Sequence, residues 1–172
     1  MDKASRVLVI SGSMGAGKTT VMGEASDLLL ARQHRHATID VDAIAVHGVD
    51  ESVADRFDLA SLRAIYDNCI AAGVSDIVAA AAVESDEAAN RLREVFAAST
   101  VTICRLTATE HTLQDRLRVR EPGMRQQEFL DRSRMLDRTL SDAAIEDFVV
   151  DNDDRSVTDV ATDVLIRAGW IT

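Results

Sequence analysis

Proline occurs once in the 172 residues, cysteine twice, and aromatic side chains make up only 3% of the chain. Each scarcity excludes something. With one proline, no low-complexity tract and 47% apolar residues, the chain is neither a disordered segment nor a proline-rich linker. Few aromatics leave few platforms on which single-stranded bases could stack. Basic residues are also in deficit: 19 Lys and Arg stand against 29 Asp and Glu, a net charge of −10. That surface repels polynucleotide phosphates and anionic lipid, so neither nucleic acid nor a membrane is an expected partner. Cys69 and Cys104 lie far apart, with no C-x-x-C pair and no neighbouring ligand in metal spacing, and read as two reduced core thiols. No stretch approaches the roughly 18 consecutive apolar residues of a membrane span. The N-terminal MDKASRVLVI lacks the apolar run of a signal peptide, so a cytoplasmic protein is expected.

What is present is an alternation. Arg6–Ile10, His36–Asp40, Ser75–Val83, Thr100–Leu106 and Asp147–Val150 are short apolar runs of strand length. Between them lie helical patterns. Lys18–Gln33 carries Val21, Met22, Ala25, Leu28 and Leu29 on one face. A second helix is capped by Asp58 and stopped by Gly73, after a loop-like Val41–Phe57 with a helical turn near Ala43–His47. Further helices are expected from Asp86 to about Ala98, over Thr109–Arg120, over Gln126–Leu140 after the break at Glu121–Gly123, and from Ser156 to about Ala168. Strand–helix alternation throughout predicts an α/β fold: a five-stranded parallel sheet with helices on both faces, built as a single domain over 1–172. In such sheets ligands bind beyond the carboxyl ends of the strands. His34 and His36, near the end of the first helix, read as exposed residues favoured by the helix dipole. Trp170 and Ile171 read as a final core patch rather than an interface.

Directly behind the first strand stands Gly12-Ser13-Met14-Gly15-Ala16-Gly17-Lys18-Thr19, which satisfies G-x-x-x-x-G-K-[ST]. The pattern has a mechanism. Glycines let successive backbone N–H groups turn inward toward phosphate oxygens. The loop feeds a helix N-terminus, which favours an anion. Lys18 would reach the β- and γ-phosphates of ATP, the Thr19 hydroxyl would ligate Mg²⁺, and Thr20 would complete the nucleotide-binding loop. A lysine at a helix N-terminus opposes the dipole, and a bound polyphosphate neutralises it.

With that loop near its N-terminus, Asp40-Val41-Asp42 at the end of the second strand, the R-x-x-x-R spacing of Arg116 and Arg120, and Asn152-Asp-Asp-Arg155 after the last strand, the chain resembles the P-loop kinases of small molecules over its full length. The relatives are the shikimate, gluconate and adenylylsulfate kinases and chloramphenicol phosphotransferase. The resemblance implies a three-layer P-loop NTPase fold with sheet order 2-3-1-4-5 and a lid at about 116–128. It implies ATP and Mg²⁺ as cofactors and phosphoryl transfer to a hydroxyl of a small metabolite or antibiotic, by a monomer or small homo-oligomer. In the relatives the first carboxylate of such a pair helps hold the magnesium shell and the second orients the acceptor hydroxyl. Asp40 is therefore the expected metal-side acid and Asp42 the orienting group or base, with the reverse assignment open. By the same resemblance Arg116 packs near the adenine, Arg120 contacts the phosphates, Arg155 belongs to the adenine-side loop, and Arg125 is a further lid candidate.

The chain departs from the pattern in two places. No apolar strand ends in the acid of a standard Walker B; either Glu84 serves, or magnesium relies on Thr19, Asp40 and water. Val41 replaces the glycine of the D-G-D sequences of gluconate and adenylylsulfate kinases. The acceptor pocket is expected around His47, Arg56 and Phe57, where Arg56 either holds an anionic acceptor or pairs with Asp55 or Asp58. A nucleoside monophosphate kinase would need several arginines around the acceptor, and only Arg56 lies in 44–62, so it ranks second. A non-kinase NTP-binding or hydrolysing protein would want a Walker B acid and a base-reading motif, neither of which is evident.

Overall fold

A computed structural model describes residues 5–97 and 99–172. Five strands form one sheet: β1 (Ser5–Gly12), β2 (Ala37–Asp40), β3 (Asp76–Ala80), β4 (Ser99–Thr107) and β5 (Phe148–Asp151). Their order is β2-β3-β1-β4-β5 and every pairing is parallel, as expected. The helices are α1 (Lys18–Ala31), α2 (Glu51–Ala71), α3 (Asp86–Val95), α4 (Glu110–Arg120), α5 (Gln126–Ala143) and α6 (Val157–Arg167).

The side-chain alternation of the central strand explains the layers. Leu8 and Ile10 of β1, with Val78 and Ala80 of β3, face Met22, Ala25 and Leu29 of α1 and Val160 and Val164 of α6. Val7 and Val9, with Ile77 and Ala79, face Leu62 and Tyr66 of α2 and Leu92 and Val95 of α3. Both faces of β1 are thus covered, which is why its sequence is a continuous apolar run rather than an alternating one. The alanines of β3 face both helical layers and let them approach closely. Trp170 packs into the α1–α6 core, as its sequence position suggested.

Several boundaries differ from the sequence reading: the helical turn expected near Ala43–His47 lies instead at Val41–Ala43, and three shifts of strand and helix bounds bear on the rest. α2 starts at Glu51, seven residues before Asp58. Its first two turns bury nothing large: Val53 and Phe57 are exposed, so no apolar stripe marks them, and an acid in the first turn supports them through the dipole instead. β3 stops at Ala80 rather than Val83, because its neighbour β2 ends opposite it at Asp40 and turns away. α3 ends at Val95, and the expected end at Ala98 lies outside the described residues.

The histidines are also placed differently. His34 is half-buried; its Nε2 lies 2.6 Å from Asp76 Oδ2 and its ring stacks 6.0 Å from that of Trp170. His36 Nε2 lies 2.8 Å from Ser26 Oγ. Asp76, whose side chain is 1% exposed, is also gripped by Arg6 through Nε at 3.2 Å and Nη2 at 2.7 Å. Arg6 in turn lies over Trp170. A fully buried carboxylate requires such partners, and they outweigh the attraction of the helix end that the sequence suggested. The cluster fastens the start of β3 to the chain's C-terminal turn, at the sheet edge opposite the strand carboxyl ends.

Candidate active site

The strand carboxyl ends bring five loops to one edge of the sheet. β1 lies between β3 and β4, so the chain departs to opposite sides of it, and the loop after β1 sits where such folds open a crevice.

That loop is held from outside. Gly12, Gly15 and Gly17 have φ of 149°, 87° and 93°. A Cβ on them would lie 2.8 Å from Leu106 O, Leu113 O and Asn152 Nδ2 respectively, so conformation disfavours a side chain at all three and neighbouring backbone closes the space at Gly12 and Gly15. Every carbonyl from Gly12 to Ala16 accepts a hydrogen bond. Lys18 Nζ donates to Gly12 O (3.1 Å), Ala16 N–H to Ser13 O (3.2 Å), Ser133 Oγ to Met14 O (2.8 Å), Arg116 Nη1 to Gly15 O (3.4 Å) and Asn152 Nδ2 to Ala16 O (2.7 Å). With these five carbonyls engaged, what the loop has left to offer a ligand is N–H groups, joined by the first-turn N–H groups of α1, which have no intrahelical acceptor. Ser13 Oγ is buried and has no hydrogen-bond partner among the described residues. A concave set of donors with an orphaned hydroxyl fits a polyphosphate.

β2 ends at Asp40 and a single 3-10 turn, Val41–Ala43, follows. The turn lets two carboxylates two residues apart face the loop together. Asp40 Oδ2 accepts from Thr19 Oγ1 at 3.1 Å. Asp42 Oδ2 lies 3.2 Å from Lys18 Nζ, while Asp42 Oδ1 accepts the Ala82 N–H at 3.0 Å. A hydroxyl beside a carboxylate fits Mg²⁺, which binds through few protein oxygens and takes the rest from water and phosphate. Among the described residues no group of three His, Cys, Asp or Glu could hold a metal alone.

A cavity of about 330 Å³ opens over the loop, lined by 13–15, 17–20, Asp40, Asp42 and Arg120. Arg120 Nε lies 3.2 Å from Glu121 Oε1. A smaller recess beside it is lined by Thr20, Val21, Arg116, Asn152 and Arg155 among others. Arg116 Nη2 donates to Asn152 O at 2.8 Å, and Arg155 Nη1 lies 3.1 Å from Asp163 Oδ2. Hydrogen bonds from Thr112 and Thr109 hold the Asp153 carboxyl below the usual carboxylate range, tying this loop to the start of α4.

A second cavity, about 230 Å³, lies between α2 and α3 and shares Asp42 with the first. Its polar lining is Asp42, Asp55, Asp58 and Arg91; Leu59 and Leu92 are part of its apolar wall. The sequence reading placed an acceptor pocket nearby but on other residues. Arg56 is exposed, with its Nε on Ser52 O at 3.2 Å, and His47 and Phe57 do not line the cavity. Glu84 is exposed and lines neither cavity. Arg125 is exposed beyond the bend at 121–125, paired with Glu128 at 2.8 Å. Asp55, Asp58 and Arg91 are not expected as site residues from the sequence, which reads Asp58 as a helix cap and Asp55 only as a partner for Arg56. Their signal was position: Asp55 and Asp58 share the stripe of Leu59 and Leu62, and Arg91 that of Ala88, Leu92 and Val95. Asn152 and Ser133, which brace the loop, were likewise missed as site residues.

No known family model matches the chain, and no curated protein sequence does. Solved structures do match. A gluconokinase from Sinorhizobium meliloti 1021 is similar at a TM-score of 0.66 and 15% identity, over 95% of this chain and 91% of that one. Shikimate kinase from Acinetobacter baumannii, in complex with shikimate, is similar at 0.64 and 14%, over 99% and 97%. The Mycobacterium tuberculosis APS kinase in complex with AMPPNP and APS is similar at 0.60 and 15%, over 96% and 98%. The chain has the fold of the P-loop small-molecule kinases.

Proposed function

We propose that the protein is a kinase that transfers the γ-phosphoryl group of ATP to a hydroxyl of a small molecule. The observation that carries the proposal is Asp42. It reaches Lys18 in the loop cavity and also lines the adjoining cavity between α2 and α3. A carboxylate at the junction of a phosphate cradle and a second cavity stands where a nucleophilic hydroxyl must be oriented.

The loop amides and Lys18 bind the triphosphate tail, and the absence of side chains at Gly12, Gly15 and Gly17 keeps the backbone close to it. Thr19 and Asp40 would hold Mg²⁺, which when bound supplies charge compensation between the phosphates. Arg116 and Arg155 flank the recess for the base. Arg120, which lines the cavity, would meet charge developing on the transferred group. Asp42, steadied by the Ala82 N–H, accepts the hydrogen bond of the acceptor hydroxyl and takes its proton as the phosphorus–oxygen bond forms. Phosphoryl transfer asks chiefly for alignment and electrostatics, and these residues supply both. A phosphate acceptor, as in a nucleoside monophosphate kinase, would want several arginines in the second cavity, and among the lining residues there is one.

The test is ADP release with and without a panel of hydroxyl compounds. Turnover that is idle alone and accelerates with an acceptor, and that Lys18→Ala abolishes in a folded chain, supports the reading. Slow hydrolysis indifferent to every acceptor refutes it.

A further inference from the structure

The cavity between α2 and α3 has a charge balance that selects among acceptors. Three carboxylates face one guanidinium in its lining. Arg91 is already engaged: Nη1 lies 3.4 Å from Asp55 Oδ2 and Nη2 3.5 Å from Glu87 Oε1. It therefore offers no free fork of the kind that grips a carboxylate or phosphate. Two polar atoms in this lining are shut off from solvent and without a hydrogen-bond partner among the described residues: Asp58 Oδ1 and Arg91 Nε. They are opposite in kind. The carboxylate oxygen can only accept, and the guanidinium nitrogen can only donate.

A hydroxyl donates and accepts, so it can serve either atom once a rotation of that side chain uncovers it to the cavity. An amine can serve Asp58. A carboxylate, sulfate or phosphate on the ligand carries acceptors only: it can answer Arg91, leaves Asp58 unanswered, and adds a negative charge beside three others. The apolar wall of Leu59 and Leu92 suits the C–H faces of a ring or short carbon chain. The volume, about 230 Å³, is below the roughly 300–1,000 Å³ of drug-sized sites and points to a molecule of monosaccharide scale.

We infer that the acceptor is a polyhydroxylated small molecule without negative charge, its hydroxyl or amine groups held by Asp58 and Arg91 between α2 and α3. This rests on the kinase reading above and narrows it.

The experiment uses the full chain saturated with MgAMPPNP, with thermal shift and titration calorimetry as readouts. The panel presents small polyols in matched charge sets; glucose, glucosamine, gluconate and glucose 6-phosphate form one set. Binding is expected from neutral and amine members, and Asp58→Ala, which removes the acceptor that asparagine would keep, should weaken it about ten- to a hundredfold while leaving the MgAMPPNP shift intact. Should D58A fail to fold, the charge series on the unaltered chain decides alone. Preference for the carboxylate or phosphate members, or no binding by any member, overturns the inference while a retained nucleotide shift leaves the kinase reading standing. Unchanged affinity in D58A overturns it too. Absence of any MgAMPPNP shift on the folded chain removes both.

Discussion

Replacing Asp42 with asparagine separates its position from its charge. Asp42 Oδ1 accepts the Ala82 N–H, and an asparagine carbonyl can keep that bond. The other oxygen, 3.2 Å from Lys18 Nζ, becomes an NH₂ that can neither accept a proton nor pair with the lysine. A positioned general base contributes about 10²–10⁴ in rate. A loose phosphoryl-transfer transition state asks little of the base, which places Asp42→Asn at the lower end, a loss of about 10²–10³ in kcat, or roughly 2.7–4.1 kcal/mol. Nucleotide affinity should move the other way. In the free chain Asp42 competes for Lys18; its side chain is 43% exposed, so the pair contributes only about 0.2–1 kcal/mol. Releasing the lysine should tighten MgAMPPNP binding by up to about fivefold. Acceptor-dependent ADP release gives kcat, and calorimetry gives the nucleotide Kd. A variant that retains kcat within threefold, or that binds nucleotide more weakly, refutes the role given to Asp42.

Three further outcomes are expected. Gly15→Ala forces a side chain onto φ 87° and into Leu113 O; nucleotide binding should fall at least tenfold, and a retained Kd would show that the loop is not the phosphate cradle. Asp76→Asn leaves Arg6 and His34 without their shared carboxylate; these are 27% and 22% exposed, so a cost of about 2–4 kcal/mol and a fall in Tm of roughly 5–15 °C are expected, with nucleotide Kd unchanged, and a loss under 1 kcal/mol would overturn the cluster's structural role. Burial pushes the Cys104 thiol up to about 12, so its contribution to stability holds below the ordinary thiol range and is lost as pH rises from about 9 toward 12, with a slope near 1.4 kcal/mol per unit; at pH 8 a thiol reagent should reach Cys69 alone, and rapid double labelling of the native chain would contradict this.

The features legible in the sequence were those written into the backbone itself. Glycines at Gly12, Gly15 and Gly17 stand where positive φ and close neighbours demand them, and a run such as Val7–Ile10 is apolar at every position because both faces are covered. Side chains whose surroundings come from distant elements were harder to read. Asp55 and Arg91 are 36 positions apart and meet only because α2 packs beside α3. Arg56, the residue singled out, is one position from Asp55, but each step along a helix turns the side chain by about 100°, enough to move it from the cavity to solvent. The same ambiguity hid the start of α2, whose exposed Val53 and Phe57 leave no stripe to follow.

The acidic composition sharpens the functional argument rather than weakening it. A chain of net charge −10 places acids wherever they cost least, and helix N-termini are such places. Among the described residues α2, α3, α4, α5 and α6 each carry an acid in the first turn. α1 alone carries none: its first turn is Lys18, Thr19 and Thr20, the first a cation that the dipole opposes. Stability would put an acid there as it does five times elsewhere. The bare N-terminus and its lysine are instead what an anion requires, and in the free chain Asp42 supplies part of that negative charge from outside the helix. The carboxylate paired with Lys18 is therefore one that can yield the lysine to a phosphate and, still held by Ala82, face the adjoining cavity.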